Sequence, residues 1–112
     1  MDFDRHLTSP ARLSIVTALV GTDQLSFTEL KAATSLADGN LHIQTKKLED
    51  CGYLLKTKAS RGGRSVTFFS LSPEGLAAFE LHIRKLQRVL DTRRAIPRPV
   101  SRVEYQDASR VW

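Results

Sequence analysis

The chain has one cysteine, Cys51, among its 112 residues. A lone cysteine excludes an internal disulfide framework and suits a reducing compartment; it is expected to be a small buried packing residue. No apolar run approaches the ~18–20 residues that a membrane-spanning helix needs. The opening MDFDRHLTSP is acidic and polar, unlike the basic-then-apolar order of a secretory signal, so a cytoplasmic location is expected. The three histidines, His6, His42 and His82, are scattered and pair with no acid or cysteine at a spacing that holds a metal or builds a catalytic dyad. No glycine-rich phosphate loop is present. Enzymatic activity, a cofactor and a metal are therefore not expected.

A modest positive balance is present instead. The formal net charge is +5, and it is spread along the chain: residues 1–90 hold 12 Lys/Arg against 9 Asp/Glu, and residues 91–112 hold 5 against 3. Such a balance fits a polyanionic partner, but the position of the cations decides more than their sum.

Local patterns divide the chain into elements. Ser9-Pro10 is a hydroxyl cap followed by proline at the first helical position. Leu13, Val16, Leu19 and Val20 then recur at helical spacing, widened by Ile15 and Ala18, until Gly21. Ser26-Phe27-Thr28-Glu29 is a capping-box pattern, which opens a short helix over about 27–34 with Phe27, Leu30 and Ala33 inward. A tight connection, 34–37, leads to a longer helix from about Asp38 to Cys51, closed by Gly52. Leu41, Thr45 and Leu48 mark its buried side. Two short helices around a brief turn make a helix-turn-helix.

After Gly52 the period falls to two. Residues 53–58 and 65–71 read as strands, joined through Ala59-Ser60-Arg61-Gly62-Gly63-Arg64, so a β-hairpin with a cationic tip is expected. Ser72-Pro73-Glu74 starts a last helix that runs to about Leu90, with a stripe of Leu76, Phe79, Ile83, Leu86 and Leu90. From Asp91, two prolines and scattered arginines (Arg93, Arg94, Arg98, Arg102) suggest an irregular tail. The expected organisation is a 1–90 domain and a 91–112 tail, of mainly helical α+β class.

Helix, capped helix, turn, basic helix, hairpin and helix is the order of a winged helix-turn-helix, with a two-stranded wing. The phrases Arg12-Leu13-Ser14-Ile15, Phe27-Thr28-Glu29-Leu30-Lys31, Asp38-Gly39-Asn40-Leu41, Lys46-Lys47-Leu48-Glu49-Asp50-Cys51-Gly52-Tyr53 and Leu71-Ser72-Pro73-Glu74-Gly75-Leu76-Ala77-Ala78-Phe79 stand in that order. Through them residues 12–81 resemble small winged-helix DNA-binding domains related to MarR- and ArsR-type transcriptional regulators. The resemblance implies a regulator whose third helix enters the major groove and whose wing touches the backbone or minor groove. It also implies a homodimer through the last helix, at about residues 73–90, with the segment around Phe3 and Leu7 packed nearby.

The residues suit that use. If Leu41, Thr45 and Leu48 face inward, the outer arc of the third helix carries Gly39, Asn40, Ile43, Lys46 and Lys47, with His42 at its edge. Asn40 and Gln44 carry amides able to read a base edge, adenine in particular, and Ile43 suits a thymine methyl. Lys46, Lys47, Lys56, Lys58, Arg61 and Arg64 suit phosphate. Gly39 would let the helix start approach the DNA backbone. The family usually caps this helix with Ser or Thr; Ala37 stands there, so Asp38 is a second candidate for the cap. The stripe Leu76, Phe79, Ile83, Leu86 and Leu90 is the expected dimer interface, and a two-fold dimer would place two recognition helices about 34 Å apart on a pseudo-palindromic operator. Repression is the default expectation, and an unidentified small-molecule effector at the dimer interface is compatible with the resemblance. The alternative is a winged helix used only for protein–protein contact; it would expose an apolar or acidic patch where this chain has Lys46, Lys47, Arg61 and Arg64.

Overall fold

A computed structural model describes residues 2–95 of the chain, and the side chains of residues 2–92. Arg98 and Arg102, with most of the expected irregular tail, lie outside the described residues. Four helices and three strands follow one another as α1 (Pro10–Val20), β1 (Leu25–Ser26), α2 (Phe27–Thr34), α3 (Asp38–Asp50), β2 (Leu54–Arg61), β3 (Arg64–Leu71) and α4 (Pro73–Ala95).

Local chemistry sets most of these limits. Ser9 Oγ accepts the backbone N–H of Arg12 at 3.3 Å to start α1, with Pro10 at the first helical position. At α2 both halves of the capping box form: Glu29 N–H donates to Ser26 Oγ at 3.1 Å, and Ser26 N–H donates to Glu29 Oε1 at 2.8 Å. That second bond holds the Glu29 carboxyl below its ordinary range. Leu7, Ile15, Val16, Leu19, Leu30, Leu41, Leu48, Leu54 and Phe69 form the core. Leu7 thus belongs to the interior of its own domain. Ala33 and Val20, expected inward, are exposed, because α1 and α2 pack through narrower stripes than their apolar content suggests.

The sheet is antiparallel with order β1-β3-β2. The expected two-stranded wing is present, and β1 adds a third strand by pairing Leu25 with Phe69 and Ser26 with Phe68. The wing strands are also longer than expected. They leave only Gly62 and Gly63 between Arg61 and Arg64, with φ of 61° and 77°. Positive φ at both central residues makes the two-residue hairpin turn whose twist matches the flanking strands.

The wing base and α4 are locked together. Ser72 Oγ accepts the Gly75 N–H at 2.9 Å and donates to the Gly52 carbonyl at 2.5 Å. The Ser72 N–H donates to the Tyr53 carbonyl at 3.0 Å. A Cβ on Gly75 would sit 2.3 Å from that same Tyr53 oxygen, so only glycine allows the helix to start this close. Helix α4 continues to Ala95, past the expected end at Leu90. Residues 91–95 contain no breaker, Gln87 Nε2 bonds Asp91 Oδ1 at 3.2 Å, and the proline that disfavours helix comes only at position 97.

Candidate nucleic-acid interface

Helix α3 turns Leu41, Thr45 and Leu48 into the core, which leaves the other side to solvent. Gly39, Asn40, His42, Ile43, Lys46 and Lys47 are exposed and Gln44 is half-buried. Ile43 is 55% exposed, a large apolar side chain held largely in solvent. Among the described residues, apart from its own helical turn, nothing lies within 4 Å of where a Cβ on Gly39 would stand, so no packing between elements there demands glycine.

The start of α3 differs from the sequence expectation. Ala37 is the cap residue and makes no side-chain cap bond. Asp38 does not replace it, because its carboxylate is held by Lys31 of α2 at 2.7 Å. The bond and charge of Lys31 lower the Asp38 pKa and neutralise the acid that would otherwise face an anionic partner. The other acids of α3 are matched as well. Asp50 takes Lys46 at 3.0 Å, and Glu49 takes Lys56 of β2 at 3.7 Å. Exposed pairs of this kind contribute little to stability, but they cancel negative potential. Among the described residues, Lys47, Lys58 and Arg64 make no ion pair, so the net field of this face is positive.

His42 stacks on Phe27 of α2, with ring centroids 4.3 Å apart and planes at 24°. It thereby faces a hollow of about 380 Å³ between α3 and the wing, bordered also by Lys46, Lys56, Lys58 and Phe69. Helix and wing are thus two walls of one cleft, which Glu49 also lines and in which Lys58 is the lysine without an ion pair among the described residues. At the wing tip the Arg61 guanidinium lies 4.8 Å from the ring centroid of the buried Phe68. Stacking of this kind pre-orders a long side chain while leaving its donors outward.

One residue that shapes this face escaped the sequence reading. Arg12 of α1 reaches across to α3, where its Nη1 donates to Gln44 Oε1 at 2.8 Å; Gln44 Nε2 donates in turn to Asn40 Oδ1 at 3.0 Å. The amides expected to read a base edge are thus bonded to each other and to Arg12. Thirty-two residues separate Arg12 from Gln44, and no local pattern announces such a contact. Cys51, expected buried, is half-buried beside α1. Its thiol donates to the Leu48 carbonyl at 3.3 Å, and burial pushes its pKa up, away from reactive thiolate character. Tyr53 is hydrogen-bonded to Asp4, which ties the N-terminal segment to the wing base.

The last helix presents a different surface. Leu76, Ile83, Leu86 and Leu90 are 40–48% exposed. Phe79, expected with them, is half-buried and packs on its own core. His82 is buried and meets Phe3 edge-on at 5.9 Å. No helix among the described residues is long and apolar enough to cross a membrane.

A family model described as a winged helix DNA-binding domain matches residues 11–90. The chain belongs to that family. A similar protein is an uncharacterized protein of Methanocaldococcus jannaschii, 35% identical over 78 residues that cover 70% of this chain and 85% of the relative. Among solved structures, a transcriptional regulator homologue from Pyrococcus horikoshii superposes with a TM-score of 0.74 at 24% identity, covering 80% of this chain and 88% of the other. A MarR variant from E. coli gives 0.68 at 17% identity, over 91% and 77%. The fold is the MarR-like winged helix, and the family is that of winged helix DNA-binding domains.

Proposed function

We propose that the protein is a homodimeric repressor that reads a pseudo-palindromic operator, with α3 in the major groove and the wing on the backbone or minor groove. The observation that carries this reading is the cleft itself. His42 and Lys46 of α3 share it with Lys58 of the wing, α3 leaves Asn40, Ile43 and Lys47 exposed and the wing tip carries the exposed Arg61 and Arg64, while every acid on α3 is matched by a lysine. Amides and an exposed aliphatic suit base edges, and unpaired cations suit phosphates. Gly39 would let a DNA backbone come close to the start of α3.

The dimer enters through α4. Its 23 residues extend about 34 Å, and the exposed Leu76, Ile83, Leu86 and Leu90 form a stripe that one copy leaves uncovered. A second copy on this stripe would set two α3 helices about one DNA turn apart. Occlusion of a promoter by such a dimer gives repression, and a small-molecule effector would act by changing the separation of the two α3 helices.

Selection of bound duplexes from a random pool tests the reading. An inverted repeat with half-sites about 10 base pairs apart is expected, with affinity that falls steeply as salt rises because each neutralised phosphate releases a counterion. A pool that yields no enriched sequence, or binding indifferent to salt, would contradict it and leave a protein-contact module as the better account.

A further inference from the structure

The amides at the centre of α3 have a direction. Arg12 is fixed by its own bonds, with Nε donating to the His6 carbonyl at 2.9 Å and Nη2 to the Arg5 carbonyl at 3.4 Å. Its Nη1 then meets Gln44 at 2.8 Å. A guanidinium has donors and no acceptor, so the Gln44 atom that faces it must be the oxygen. The Gln44 nitrogen is thereby turned towards Asn40, one helical turn back, and Asn40 in turn must present its oxygen to that nitrogen, at 3.0 Å. The Asn40 Nδ2, with both its hydrogens, is left outward. The first bond of the relay is charge-assisted and therefore among the stronger neutral-partner bonds available to it.

We propose that Arg12 sets the base preference of Asn40. Arg12 is a positioning residue that, through Gln44, turns the reading face of α3 into hydrogen-bond donors; this rests on the reading of α3 as the helix that enters the major groove. A free asparagine pairs with adenine by using its oxygen on N6 and its nitrogen on N7. The tethered oxygen of Asn40 spends one of its two lone pairs on Gln44 and is turned along the helix towards it, away from a base edge. Guanine offers two adjacent acceptors, O6 and N7, and cytosine offers an amino donor. The outward Nδ2 therefore favours guanine, whose O6 and N7 can take both its hydrogens, over adenine and thymine, which offer one acceptor each, and over cytosine, which offers none.

The test is a set of competition titrations with the full chain. The duplexes are the selected operator and its single-base variants at the half-site position where Asn40→Ala flattens the preference. The wild-type protein is expected to favour guanine over adenine there by about five- to tenfold, the lower part of what one good base contact gives. Arg12→Met should bring that ratio close to one. Because Arg12 also ties down the N-terminal carbonyls, Gln44→Glu supplies a second arm that leaves those bonds intact. The new carboxylate still accepts from Arg12 but has no N–H for Asn40, so the Asn40 amide turns over and its oxygen faces out. Preference should then move from guanine to a base with an amino donor, adenine or cytosine, while the rest of the half-site keeps its order. A wild-type preference for adenine, or a guanine preference unchanged in Gln44→Glu, would overturn the proposal and leave DNA reading by α3 standing. If no duplex is enriched at all, the proposed function falls, and this inference with it.

Discussion

The outer faces of α3 and α4 are opposites. On α3, Asn40 and Gln44 are held by bonds that begin in another helix, and each acid is matched by a lysine. On α4, Leu76, Ile83, Leu86 and Leu90 stand exposed. Polar groups held in one geometry before binding lose little freedom when they meet a patterned surface. An exposed apolar stripe gains instead from any surface that removes it from water, in proportion to area. One helix is therefore built for a partner with a hydrogen-bond pattern and the other for an apolar partner, for which a second copy of the same stripe suffices.

The largest expected effect separates the two faces. Ile83→Glu should leave the domain folded but give the mass of one chain in sedimentation, and affinity for the full operator should fall by about a hundredfold or more as the linked second half-site is lost. Retained dimer mass would remove α4 from the assembly. Gly75→Ala comes next, since its Cβ meets the Tyr53 carbonyl oxygen. Urea unfolding should show a loss of about 2–3 kcal/mol, as for overpacking against backbone, and an unchanged midpoint would mean that α4 shifts freely on the wing base.

Smaller changes act on the cleft. Arg61→Ala should weaken binding to specific and random duplexes alike, by about three- to tenfold, and lower the salt slope by about one. A loss confined to the selected operator would make Arg61 a base reader. The smallest effect concerns the α2 cap that supports α3. The Ser26 N–H holds Glu29 below the ordinary value of 4.5, so this contribution is complete above pH 4.5 and is lost as pH falls through the lower, folded-state value. Thermal melts of Glu29→Gln against the wild-type chain should differ less at pH 3 than at pH 7. A difference that grows on acidification would reverse the assignment.

How far the sequence spoke differs between these regions for a physical reason. The inner side of α3 was legible because Leu41, Thr45 and Leu48 obey one helical period, and the α2 cap because Ser26 and Glu29 lie within one turn. The wing was legible in kind, although its turn was drawn too wide: β-pairing continues to the glycines themselves. Strand β1 has two residues and forms only because β3 lies beside it, which no period of two can signal. Asp38 looked like a helix cap until Lys31 took its carboxylate. Arg12, Gln44 and Asn40 are joined across two helices, and the tight seat of Gly75 depends on Tyr53; contacts of this kind exist only once the chain has folded.

The assignment of α3 and the wing as the contact face can be tested directly by following backbone amide shifts while a selected duplex is added to the isotopically labelled protein. The changes are expected to gather at residues 38–47 and 58–64, with the α4 stripe unaffected. Changes centred on Leu76, Ile83, Leu86 and Leu90, with α3 and the wing silent, would contradict it.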